Sequence, residues 1–150
     1  MPILTTSVSD HTNPSTVAPE HRAPIAAVAS FIDAVNGRDV VALASLMTED
    51  HTLAVFDESP FRGRDANIAA WRGYMESFPN YVIVPHRMAE HDGTVAVLGH
   101  THGSHLDLPD AQERDLLVIW LAEVVDGRVR LWQLVEDTTE RRRQLGLLDI

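Results

Sequence analysis

Residues 114–136 read RDLLVIWLAEVVDGRVRLWQLVE, and the interpretation of this stretch decides the fold. Asp126-Gly127 sits between two runs rich in β-branched and aromatic residues. That is the pattern of two strands, Arg114 to Val125 and Arg128 to Glu136, joined by a two-residue turn whose central residues take positive φ. In the first strand Leu116, Val118, Trp120 and Ala122 share one face, and Leu117, Ile119 and Leu121 share the other. An antiparallel strand with one solvated face alternates apolar with polar residues, so this one is expected to be buried on both. Helices on one side of a single curved sheet cover one face. A second copy of the chain, forming a homodimer through the sheet, is the simplest cover for the other.

Upstream of the hairpin the chain also reads as strands. Tyr81 to Met88 leads to a turn at Asp92-Gly93, and Thr94 to about His105 leads to a loop through Pro109. Before Tyr81 the period is helical. Pro24 suits a first helical position, and Ile25, Val28, Ala29, Ile32 and Val35 recur at helical spacing until Gly37, which predicts a helix over 24–36. Asp39 can cap a short second helix that the Thr48-Glu49-Asp50 cluster ends. His51 to Asp57 then alternates as a strand closed by Ser59-Pro60, and Asp65 can cap a third helix with Ile68, Trp71, Met75 and Phe78 on one face. Downstream, Asp137 and Glu140 are spaced as a capping box before a terminal helix with a solvated face of Arg141, Arg142 and Arg143. Helices followed by hairpin-connected strands give an α+β class built on an antiparallel sheet.

Composition narrows the function. The 150 residues suffice for one domain, expected over 21–150, with the Ser-, Thr- and Pro-rich residues 1–20 as a disordered lead-in. There is no cysteine, hence no disulfide, thiolate metal site or cysteine nucleophile. A net charge of −10 repels phosphate backbones and anionic headgroups, which argues against nucleic-acid and membrane partners. No signal-like or membrane-spanning apolar segment is present, and a cytoplasmic location is expected.

The densest chemistry lies in Gly99-His100-Thr101-His102-Gly103-Ser104-His105. On a regular strand His100 and His102 share a face and His105 takes the other. Imidazole both titrates near neutral pH and ligates metals, so two readings arise. His-x-His with His86 or His91 from the adjoining strand would make a metal site. Against it, His105 is on the wrong face, no glutamate follows at a helpful spacing, and the leading helices do not suit the barrels that carry such sites. We therefore expect no metal and no cofactor.

The phrases Phe31-Ile32-Asp33-Ala34-Val35-Asn36-Gly37-Arg38-Asp39, Phe61-Arg62-Gly63-Arg64-Asp65 and Asp126-Gly127-Arg128-Val129 resemble the nuclear transport factor 2-like superfamily, in its SnoaL-like or ketosteroid-isomerase-like branch. The resemblance covers roughly residues 24–137. It implies a cone, a curved antiparallel or mixed sheet wrapped around three N-terminal helices (a cystatin-like α+β roll), with an apolar cavity at one end. It also implies roles. Asp57 takes the place of the isomerase base, although it can equally well just open the turn before Ser59-Pro60. The isomerase oxyanion donors correspond to Phe31 and to the apolar stretch Val118 to Leu121, whose one polar atom is the Trp120 ring nitrogen. His102 resembles the strand histidine of SnoaL-like cyclases, with Asp115 as its available carboxylate and His100 beside it. Phe31, Trp71, Trp120 and Trp132 correspond to cavity-lining positions, and His86, on the face of Val82 and Val84, is expected to join them. The expected ligand is a small, largely apolar carbonyl compound. The expected activity is cofactor-free acid/base chemistry of cyclase, isomerase or dehydratase type; a ligand-binding or dimerisation module without turnover is the alternative.

Overall fold

In the computed structural model, which describes residues 23–148, both Asp-Gly turns place their central residues at positive φ, 51° and 84° at Asp92 and Gly93 and 51° and 78° at Asp126 and Gly127. This is the turn whose twist matches that of paired strands. The turns join β3 (Val82–His91) to β4 (Thr94–His102) and β5 (Val118–Val125) to β6 (Arg128–Glu136). β1 (Met47–Val55) runs parallel to β6, and the short β2 (Phe61–Arg62) pairs antiparallel with β1. The result is one mixed, curved sheet in the order β2-β1-β6-β5-β4-β3.

Three helices pack on the inner face: α1 (Pro24–Asn36), α2 (Val40–Ser45) and α3 (Arg64–Ser77). α1 buries Ala27, Val28, Phe31, Ile32, Ala34 and Val35, the face that its apolar spacing dictates, and ends at Gly37. Asp39 caps α2 by accepting the Ala42 N–H at 3.0 Å. Val95, Val97, Trp120, Ala122 and Trp132 project from the sheet into the same core. The architecture is the expected α+β roll.

Three local expectations are corrected. Thr48, Glu49 and Asp50 belong to β1, which starts at Met47; their polar side chains are tolerated because β1 has only the two-residue β2 beyond it. The strand expected from Arg114 begins at Val118, since residues before it form the one-turn helix α4 (Asp110–Glu113) and a turn. The cap of α5 (Thr139–Leu145) is Thr138, which accepts the Arg141 N–H at 3.0 Å, while Asp137 instead grips Arg142 through contacts of 2.6 and 2.7 Å. The outer face of the sheet also carries a cover from the chain itself. Leu147, following α5, is fully buried there against Ala96, Leu98 and Ile119, with Leu145 and Leu121 beside it. Arg87 holds the Leu147 carbonyl at 2.9 Å. The chain's own C-terminal segment therefore covers part of the face for which a second copy was invoked.

The expected lead-in over 1–20 lies outside the described residues. No helix among the described residues is long and apolar enough to cross a membrane.

Candidate active site

A cavity of about 200 Å³ lies between α3 and the inner face of the sheet. All three tryptophans of the chain, Trp71, Trp120 and Trp132, form its wall, with Leu53, Val55, Ala70 and Leu134. It shares Tyr74, Tyr81, His105 and Trp120 with a wider outer compartment of about 430 Å³, to which Thr101, Ser104 and Glu113 contribute polar groups. An aromatic-walled chamber with a few polar groups at its mouth suits a small, flat, largely apolar molecule.

The sequence-predicted residues divide between the two faces of the sheet. Trp71, Trp120 and Trp132 line the cavity. Phe31 sits behind the wall, 4.7 Å from the Trp132 ring and 5.8 Å from His51. His100 and His102 do share a face, but it is the outer one, in step with Ala96 and Leu98. His86 joins them across the β3–β4 pairing: its Nε2 is 2.6 Å from His100 Nδ1, and His100 Nε2 is 3.1 Å from His102 Nε2. Hydropathy does not tell inner from outer here, because Val95, Ala96, Val97 and Leu98 make both faces of β4 apolar and buried.

Asp57 and Asp115 are both exposed and line neither compartment. β1 ends at Val55, and Phe56 at φ 48° breaks the alternation that would have turned Asp57 inward. Asp115 lies in the turn after α4, its N–H bonded to the Gln112 carbonyl at 3.1 Å. The carboxylate nearest to His102 is instead Asp110, 3.8 Å from Nδ1, a separation too long for a hydrogen bond.

The third histidine of the tract is the one on the cavity. β4 ends at His102, and Gly103 turns the chain with φ 66°; a Cβ there would lie 2.5 Å from the Asn80 carbonyl oxygen, so only glycine fits. The turn delivers His105 to α3, where the Tyr74 hydroxyl meets His105 Nδ1 at 2.8 Å and accepts the His105 backbone N–H at 3.1 Å. Burial raises the Tyr74 hydroxyl above its usual 10.0, against the lowering effect of that N–H. Tyr74 thus stays neutral and can accept from an Nδ1–H or donate to a bare Nδ1. In the first case Nε2 keeps its lone pair, as a general base requires; in the second it carries a hydrogen.

Glu113 is a buried carboxylate that the sequence did not single out, since a four-residue helix has no period to detect. Burial pushes its pKa up, but hydrogen bonds from Ser104 and Thr101 outweigh this and hold it below the ordinary value, so it is ionised at neutral pH. His51, also buried, donates from Nδ1 to the Val129 carbonyl at 2.6 Å; desolvation lowers its pKa. Among the described residues no three His, Cys, Asp or Glu side chains are arranged to hold a metal ion. In the histidine row the two ring nitrogens of His100 face different neighbours rather than one point.

The profile of the SnoaL-like domain family matches residues 28–132. The chain belongs to this family. No curated protein matches it significantly. Among solved structures it is similar to a Sinorhizobium meliloti protein provisionally called a polyketide cyclase, with 20% identity over 72% of this chain and 92% of that one and a TM-score of 0.60. A Kribbella flavida protein provisionally called a ketosteroid isomerase shares 20% identity over 77% of this chain and 78% of that one, also at 0.60. An LEH-like epoxide hydrolase from M. tuberculosis shares 19% over 82% and 89%, again at 0.60. At these identities the likeness is one of fold, and the chemistry of this SnoaL-like protein must be argued from its own cavity.

Proposed function

We propose that this SnoaL-like protein binds a small, flat, largely apolar carbonyl compound between its tryptophans and moves a proton on it without a cofactor, His105 being the acid/base group. The observation that carries this is the His105–Tyr74 pair on the wall of a tryptophan-lined chamber. With Nδ1–H directed at Tyr74, His105 Nε2 takes a proton from the carbon beside the carbonyl, leaving an enolate and an imidazolium. The imidazolium then returns that proton to carbon or to oxygen, which is the step common to enolisation, aldol cyclisation and dehydration. Glu113 adds a fixed negative charge to the outer compartment. Neighbours named for cyclase and isomerase chemistry support the reaction class.

A simple ketone serves as the probe. In D₂O the α-protons of 1-tetralone are expected to exchange faster with the protein than in buffer, followed by loss of their proton signal, and His105→Ala is expected to lower the protein-dependent rate by roughly 10². Exchange at the buffer rate, or exchange untouched by H105A, overturns the proposal.

A further inference from the structure

In the connection 103–117 between β4 and β5 only Ser104 and Glu113 are buried, at 7% and 1% exposure; every other residue there is half-buried or exposed. These two are bonded to each other. The Glu113 carboxylate accepts from the Ser104 hydroxyl, and the Ser104 N–H lies 3.5 Å from Oε1, while Thr101, near the end of β4, donates its hydroxyl to Oε2. Ser104 then organises the loop that follows. Its Oγ accepts the Leu106 N–H and its carbonyl accepts the Asp107 N–H, each at 3.2 Å. Donors to an ionised acceptor make stronger hydrogen bonds than neutral pairs do, so the single turn of α4 fastens the end of β4 to the loop leaving it. His105 stands between Ser104 and Leu106. Its contacts with Tyr74 on α3, 3.1 Å from the backbone N–H and 2.8 Å from Nδ1, require that loop to arrive at one place. An exposed loop has few buried contacts to offset the entropy of ordering it.

We infer that Glu113 is the positioning residue of the candidate site: acting through Ser104, it fixes the turn that holds His105 against Tyr74. This deepens the acid/base reading of His105 and rests on it. Proton transfer is steep in distance, and a catalytic group misplaced by about 1 Å can cost 10²-fold. The carboxylate acts here by its shape, two oxygens facing donors on two segments. An amide can meet the same groups, its oxygen accepting from Ser104 and its nitrogen donating to a Thr101 hydroxyl that has turned to accept. Alanine can meet none of them. Glutamine therefore separates positioning from charge.

The test compares Glu113→Ala, Glu113→Gln and Ser104→Ala by two readouts, the ring ¹⁵N signals of neutral His105, assigned by their loss in His105→Ala, and α-proton exchange of 1-tetralone in D₂O. In the wild type the two ring nitrogens are expected to be well separated, as in one tautomer held by Tyr74. In E113A they are expected to converge toward the averaged values of a free imidazole, and in E113Q to separate again. E113A is expected to lower kcat for exchange by roughly tenfold to 10²-fold with KM little changed, because the tryptophan wall is untouched. S104A, which leaves the carboxylate in place, is expected to fall between, and it decides the case if E113A does not fold. Ring signals unchanged in E113A and S104A overturn the inference and leave His105 standing as the acid/base group. So does an E113Q as impaired as E113A, which would assign the effect to charge. A wild type that exchanges tetralone no faster than buffer overturns the acid/base reading instead, and the ring signals still decide whether Glu113 places His105.

Discussion

His105 and His102 are three residues apart and end on opposite faces of one sheet. Alternation along a regular strand would oppose them, but β4 ends at His102 and the turn at Gly103 is what carries His105 to the cavity; which side of the sheet that is depends on which face of β4 carries the helices. That was not legible, because Val95 and Val97 on one side are matched by Ala96 and Leu98 on the other. Two other histidines lend themselves to a test at this scale. Desolvation lowers the pKa of both His51 and His100 below the ordinary 6.5, and in His100 the neighbouring His102 and His86 act in the same direction. A depressed imidazole pKa means that the unfolded chain binds the proton more readily. Stability is then full above pH 6.5 and is lost as pH falls from there toward the lowered folded-state values. The lowered carboxylates, Glu113 with an ordinary value of 4.5 and Asp50 and Asp137 with 3.8, act at lower pH, so the interval between about pH 6.5 and 5.5 belongs mainly to the histidines. The thermal midpoint is expected to drop as pH falls across it. His100→Asn should flatten the slope, and a midpoint that holds steady or rises on acidification would contradict the assignment.

At the scale of elements, periodicity gave helices and hairpins and failed where an element was too short or too irregular to have a period. α1 and the two Asp-Gly hairpins follow from apolar spacing and turn chemistry alone. α4 is a single turn, and its absence from the sequence reading carried Asp115 onto a strand and hid Glu113. Likewise the end of β1 depends on the positive φ of Phe56, a residue with no sequence signal for that conformation, and this removed Asp57 from the interior. The terminal segment was read as a solvated arginine helix, whereas its anchor is Leu147, just past Gly146 at φ 75°. Because Leu147 is completely buried, Leu147→Ala is expected to cost about 2–5 kcal/mol in denaturant unfolding. A loss below about 1 kcal/mol would mean that this segment is not seated on the outer face as described.

Taken as a whole, the molecule uses its sheet twice. The inner face packs on α1 and α3 around the tryptophan chamber, and the outer face carries the row His86, His100, His102 beside the apolar contact with Leu147. The family likeness was legible because it rests on helix-one and turn phrases that set the cone; the acting groups were not, since members of one fold place different side chains on the same positions. The central claim is that ligand enters between the tryptophans, and the chain supplies its own reporters, because its three tryptophans all line that cavity. In a ¹H–¹⁵N spectrum of the labelled protein titrated with 1-tetralone, the account predicts that all three indole N–H signals shift and saturate together. Indole signals that stay in place while resonances of the His86, His100 and His102 face move would contradict it.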